Sequence, residues 1–171
     1  MASAQFSQDD LPLDSDIDVE QTASRVTRPV HLTWRFLGIV SIGGAIGTAI
    51  RESISLAVPL LDGVAWITLV INVLGAFFLG ALLEAIARRG ADAGRRRTIR
   101  LLLGTGLLGG FTTYSTLATA TATLLIDGNA EIAVAYAVTT LLLGAAGTTA
   151  GITIATAQHR RRASRTLKQR S

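Results

Sequence analysis

Between Leu101 and Ile126 the chain carries no charged residue, yet the middle of that run reads Gly109-Gly110-Phe111-Thr112-Thr113-Tyr114-Ser115-Thr116-Leu117. Two glycines, poor helix formers, lead into hydroxyl-bearing residues from Thr112 to Thr116. Serine and threonine hydroxyls compete for nearby backbone groups. A helix broken here frees carbonyls, amides and hydroxyls at membrane depth. Such backbone is tolerated only where it is buried in protein or lines a cavity. Freed carbonyls suit a hard cation, and freed amides and hydroxyls suit an anion; broken helices of this kind hold ions in transporters. The plain alternative is a continuous, kinked helix.

Two further residues bear on the same chemistry. Asn72 sits near the middle of TLVINVLGAFFLG, Thr68–Gly80. An amide in hydrocarbon is costly without a partner. It either glues helices together or presents its NH2 to an anion stripped of water. Arg51 closes GGAIGTAIRES, Gly43–Ser53. It either snorkels to the interface or draws anions into a vestibule. Gly43, Gly44 and Gly47 allow a second helix to approach closely. Thr139, Thr140, Thr148 and Thr149 repeat the small-polar theme further on, as packing or as a polar track.

These residues must be positioned by apolar elements. The 171 residues are 49% hydrophobic with mean hydropathy +0.45, and the apolar ones form four blocks: 36–58, 64–87, 101–126 and 132–157. The last two, about 26 residues each, reach ~39 Å as helix, enough to cross a ~30 Å hydrocarbon core with tilt. The expected fold is an all-α membrane protein with four transmembrane helices over residues 34–158, the third one broken. Residues 1–33, with Asp9, Asp10, Asp14, Asp16, Asp18 and Glu20, read as a disordered acidic tail. They lack the apolar core of a signal peptide. Residues 159–171 read as a short basic tail.

The cations set an orientation. Arg25, Arg28 and Arg35 precede the first block. Arg88, Arg89, Arg95, Arg96, Arg97 and Arg100 lie between the second and third. Arg160, Arg161, Arg162, Arg165, Lys168 and Arg170 follow the fourth. Only Arg51 falls elsewhere. The positive-inside rule then places both termini in the cytoplasm, the chain crossing the plasma (cell inner) membrane. Basic clusters that hug membrane ends without interleaved aromatics argue for anionic lipid heads and against nucleic acid. There is no cysteine, and His31 and His159 lie outside the blocks, so no side-chain metal site is expected. No nucleotide loop or paired carboxylates occur at membrane depth, so no enzyme is expected. A proton-coupled four-helix transporter needs a deep carboxylate; Glu52 and Glu84 lie near block ends.

The ordered set Gly43-Gly44…Gly47…Arg51, then Asn72…Gly75…Phe77…Gly80, then Gly109–Leu117 resembles the Fluc (CrcB) family of fluoride channels. The resemblance covers nearly all of the chain except its two tails. It implies a fluoride channel giving passive efflux and fluoride resistance. It implies antiparallel dimers crossing at the third-helix break, with a central structural Na+ held by the backbone carbonyls of Gly109 and Thr112. It implies two pores lined by Asn72, Tyr114, Ser115, Thr116 and, at the second family phenylalanine, Leu117, while Arg51 stays open as vestibule cation or anchor. Three departures stand out. Tyr114 and Leu117 replace family phenylalanines, and Ala118 and Ala120 replace a serine and a glutamate. Leu117 has no ring edge to face an anion. This chain is therefore expected either to conduct or to serve as a non-conducting partner subunit. The charge bias and Leu117 together point to a heterodimer with a second Fluc-type subunit, a homodimer being the alternative.

Overall fold

The computed structural model describes residues 33–58 and 66–168, with side chains as far as Arg161. The acidic residues Asp9 to Glu20, the cations Arg25, Arg28 and Arg170, and His31 lie outside the described residues. The chain forms α1 (Trp34–Ala57) and α2 (Trp66–Ala87), then α3 (Arg95–Ile99), which runs into a π-helical stretch, Arg100–Leu108. A short α4 (Gly109–Phe111), α5 (Tyr114–Ile126) and a 39-residue α6 (Ala130–Lys168) follow. All regular structure among the described residues is helical. Among the described residues three helices, Trp34–Ala57, Trp66–Ala87 and Ala130–Arg161, are each long and apolar enough to cross a membrane. α6 does not end with its apolar block but continues as one helix through the basic residues 159–168.

Large side chains such as Ile42, Leu74, Phe78 and Leu141 point outward. Lipid is as apolar as leucine, so helices associate in it through close backbone packing rather than apolar burial. Two seams supply that packing. α1 lies against the π-helical stretch and α4, and α2 lies against α6. In the first seam a Cβ added to Gly47 would strike the Leu107 carbonyl, and one added to Gly110 would strike the backbone of Gly44. In the second, Gly80 faces the Thr148 backbone and Gly151 faces the Phe77 carbonyl. At both seams a side chain would force the helices apart.

The π-helical stretch has wide turns, and the Gly109 N–H reaches back to the Gly104 carbonyl. π-turns cluster at functional sites. Here the widened coil leads directly to the segment where helical order stops.

The loop between α2 and α3 is held by its own arginines. Arg96 donates to the carbonyls of Ala91 at 2.9 Å and Arg89 at 2.8 Å. Arg97 donates to the Asp92 carbonyl, and Arg100 reaches Asp92 Oδ2 through Nε at 3.0 Å and Nη2 at 2.7 Å. Half of the six cations here fold the loop as well as anchoring it. At the same end, Glu84 accepts from both Arg88 and Thr156, which ties α2 to α6. At the far end α5 closes with a Schellman turn. Asn129 N–H bonds the Leu124 carbonyl at 2.8 Å, Gly128 N–H bonds that of Leu125 at 3.2 Å, and Gly128 takes φ +79°.

Candidate functional site

Helical order stops at Thr112 (φ −80°, ψ 156°) and Thr113 (φ −147°, ψ 119°), both extended. The chain re-enters a helix at Tyr114, so the carbonyl end of one helix meets the amide end of another inside an apolar stretch. Each free end is met by specific groups. Thr113 caps α5: its Oγ1 accepts from Thr116 N–H at 3.2 Å and lies 3.1 Å from both Ser115 Oγ and Thr116 Oγ1. Loss of such a cap costs about 1 kcal/mol. Thr113→Ala should lower the unfolding free energy in micelles by about that amount, with Thr113→Ser retaining the wild-type value; denaturant titration reads the difference.

α2 contributes the most informative contact. Asn72 Oδ1 accepts from Thr113 N–H at 2.8 Å, while its Nδ2 donates to the Thr113 carbonyl at 3.0 Å. The amide therefore pairs with the backbone as a neighbouring β-strand would, which holds Thr113 extended. An amide NH2 has two protons, so one N–H remains beyond this clamp. Gly75, one turn along α2, makes room for Thr112, whose Cγ2 would meet any added Cβ.

α1 contributes a second support. Arg51 Nε and Thr48 Oγ1 both donate to the Gly110 carbonyl, at 3.4 Å and 3.3 Å. Arg51 also pairs with Glu52 at 3.5 Å, its side chain 19% exposed. Thr112 Oγ1 and N–H both bond the Leu108 carbonyl at 3.0 Å. Hydrogen bonds from outside the helical ladder thus end on the carbonyls of Leu108, Gly110 and Thr113. Among the described residues none of them ends on Gly109 or Thr112.

The residues singled out from the sequence divide into two sets. Asn72, Arg51, Gly109, Thr112, Ser115 and Thr116 gather at the break. Tyr114 points away from its own chain, 80% exposed. Leu117 turns inward instead, 7% exposed, and packs with Leu124, Ala133 and Tyr136. Sequence reasoning missed Tyr136 and Thr48. Tyr136 is 2% exposed, hydrogen-bonds Thr68 and stands edge-on to Trp66 with ring centroids 6.2 Å apart. Its ring lies in the cluster that contains Leu117. The buried Thr140 lies one turn along α6 and bonds the Tyr136 carbonyl. An i, i+4 Tyr–Thr pair on one helix face was the available signal.

A family model described as "CrcB-like protein, Camphor Resistance (CrcB)" matches residues 38–152. The chain is 50% identical over 133 residues to the "Fluoride-specific ion channel FluC 2" of Leifsonia xyli subsp. xyli, covering 78% of this chain and 92% of that one. It is 47% identical over 110 residues to the "Fluoride-specific ion channel FluC 1" of Cutibacterium acnes, covering 64% and 77%. It is 40% identical over 108 residues to the "Fluoride-specific ion channel FluC" of Thermus thermophilus, covering 62% and 83%. The matched region takes in most of α1, all of α2, the break and about the first three-fifths of α6, and its extent together with these identities means that the chain is a multi-pass membrane protein belonging to the CrcB family.

Proposed function

We propose that this chain is a subunit of a fluoride-selective channel that lets fluoride leave the cytoplasm passively. Family membership supports the class of activity, and the relatives named as fluoride channels support the ion. The observation that carries the reading is the Asn72–Thr113 clamp. It fixes a break in an apolar segment and leaves one amide N–H over. Fluoride is small and tightly hydrated, so donors must replace its water at close range. The spare Asn72 N–H, the hydroxyls of Ser115 and Thr116 and the ring edge of Tyr114 are the candidates; a ring edge carries partial positive charge. Leu117 supplies no donor. Arg51 has guanidinium protons beyond the one on Gly110, so it can support the break and draw anions toward it.

In this reading the segment from Leu101 to Ile126 is the third crossing in chain order, interrupted at Thr112–Thr113. Two subunits of opposite orientation meet at that interruption, and the exposed Tyr114 ring is turned toward the partner. A structural Na+ fits the carbonyls of Gly109 and Thr112, which the surrounding donors leave untaken. When bound it supplies positive charge against carbonyl oxygens. A second reading, a non-conducting partner subunit, is favoured by Leu117, Ala118 and Ala120 where the family pattern has a phenylalanine, a serine and a glutamate.

The test is fluoride release from liposomes loaded with fluoride and chloride. One set holds this chain alone, the other holds it with a family chain of opposite charge bias. Release of fluoride without chloride in either set, beyond what the added family chain releases on its own, supports the channel. Absence of such release in both overturns it.

A further inference from the structure

A cavity of about 550 Å³ opens between α2, α6 and the π-helical stretch, at the end where the α2–α3 loop lies. Its walls are apolar, among them Phe77, Leu82, Leu107 and Ile154, while Arg89 and His159 stand at its mouth. Arg88, beside them, is engaged with Glu84 and Thr156. The side chains of Arg89 and His159 are exposed and make no hydrogen bond or ion pair among the described residues. From Phe77 to Ala87, where α2 ends, is about 15 Å, matching the ~15 Å depth of one leaflet's hydrocarbon, and Arg89 lies just beyond that end. The cavity is therefore dry over one leaflet's depth and cationic where phosphates lie.

We propose that this groove holds one anionic phospholipid of that leaflet, an acyl chain between the apolar walls and the phosphate at Arg89 and His159. Charge and polarity select the occupant: the apolar walls suit an acyl chain, and Arg89 and His159, which make no hydrogen bond or ion pair among the described residues, suit a phosphate at its end. The proposal is independent of which ion the channel conducts.

The experiment uses the delipidated full chain and native mass spectrometry. The protein is titrated with phosphatidylglycerol and with phosphatidylcholine of identical acyl chains. One phosphatidylglycerol should be retained preferentially. A cation near an anionic surface contributes about a fivefold preference, so Arg89→Gln should reduce that retention about fivefold, and that of phosphatidylcholine, whose phosphate is offset by its choline, by less. Ala155→Trp, which fills the groove from α6, should abolish retention of both. Arg160→Gln, a cation outside the mouth, should change nothing. Three results would each overturn the proposal. These are equal retention of the two lipids, an equal loss with Arg160→Gln (diffuse attraction only), and cross-linking of Ala155→Cys between two copies in phosphatidylcholine vesicles, which would mean that a second copy fills the groove.

Discussion

Asn72→Asp should lower fluoride flux by more than about a hundredfold. Aspartate keeps the acceptor for Thr113 N–H, so the 2.8 Å half of the clamp survives. The other half inverts: a carboxylate oxygen replaces the N–H that reaches the Thr113 carbonyl at 3.0 Å. Two acceptors then face each other, at a cost of about 1–3 kcal/mol. The spare N–H is also gone, and a negative charge stands where an anion must pass. At about 5 Å and an effective dielectric near 20, that repulsion is about 3 kcal/mol, or about two hundredfold in rate. Fluoride-electrode recording of liposome efflux measures the effect, with size-exclusion chromatography to follow assembly. Asn72→Ala separates the two roles: it removes the clamp without adding charge, so it should impair assembly more than Asp does and repel anions less. Flux unchanged in Asn72→Asp would remove Asn72 from the pore.

The position of the break was legible because Gly109-Gly110 and the hydroxyl run violate what a continuous membrane helix needs. Its construction was less so. Asn72 stood out as a lone amide, but a single side chain gives no sign that both ends of that amide lie on one backbone residue of another helix. Arg51 read as a vestibule cation or a snorkelling anchor, whereas its Nε is on the Gly110 carbonyl. Such contacts follow from how close the glycine seams let α1 come to α4, which is a tertiary fact. The π-helical stretch was hidden in Leu101–Leu108 because i→i+5 bonding leaves no periodic mark in a run of leucine and glycine. Helix ends were the weakest part. The apolar block starts at Leu101, yet helix begins at Arg95, where arginines fasten the loop carbonyls. α6 runs on to Lys168 because Gln158–Lys168 contains no glycine or proline to stop it. Tyr136 belongs to no motif in the sequence, and only packing of α6 on α2 and α5 shows it buried against Thr68 and Leu117.

Expressed alone, this chain should insert almost entirely with its termini in the cytoplasm, and alone it should conduct little fluoride. An antiparallel homodimer needs copies in both orientations, and dual insertion needs a small lysine and arginine bias. Here every cation but Arg51 lies on one side of the proposed crossings. The folding of Arg96, Arg97 and Arg100 onto their loop leaves those charges at the same membrane face, offset locally only by Asp92. Arg51 is a weak counterweight, because it reaches back to Gly110 and pairs with Glu52. With about 1 kcal/mol per cation near an anionic leaflet, even three net charges favour one orientation more than about a hundredfold. An antiparallel partner must then be a second chain of opposite bias. The same partner would bring a third segment of its own, with the phenylalanine that this chain replaces by the inward-facing Leu117. The measurement is a C-terminal sidedness reporter combined with fluoride efflux, on the chain alone and with a family chain of opposite bias. One-sided insertion, with efflux appearing only in the mixture, supports the heterodimer. If about half the copies insert each way and the chain alone releases fluoride, the heterodimer is wrong and the protein assembles as a dual-topology homodimer.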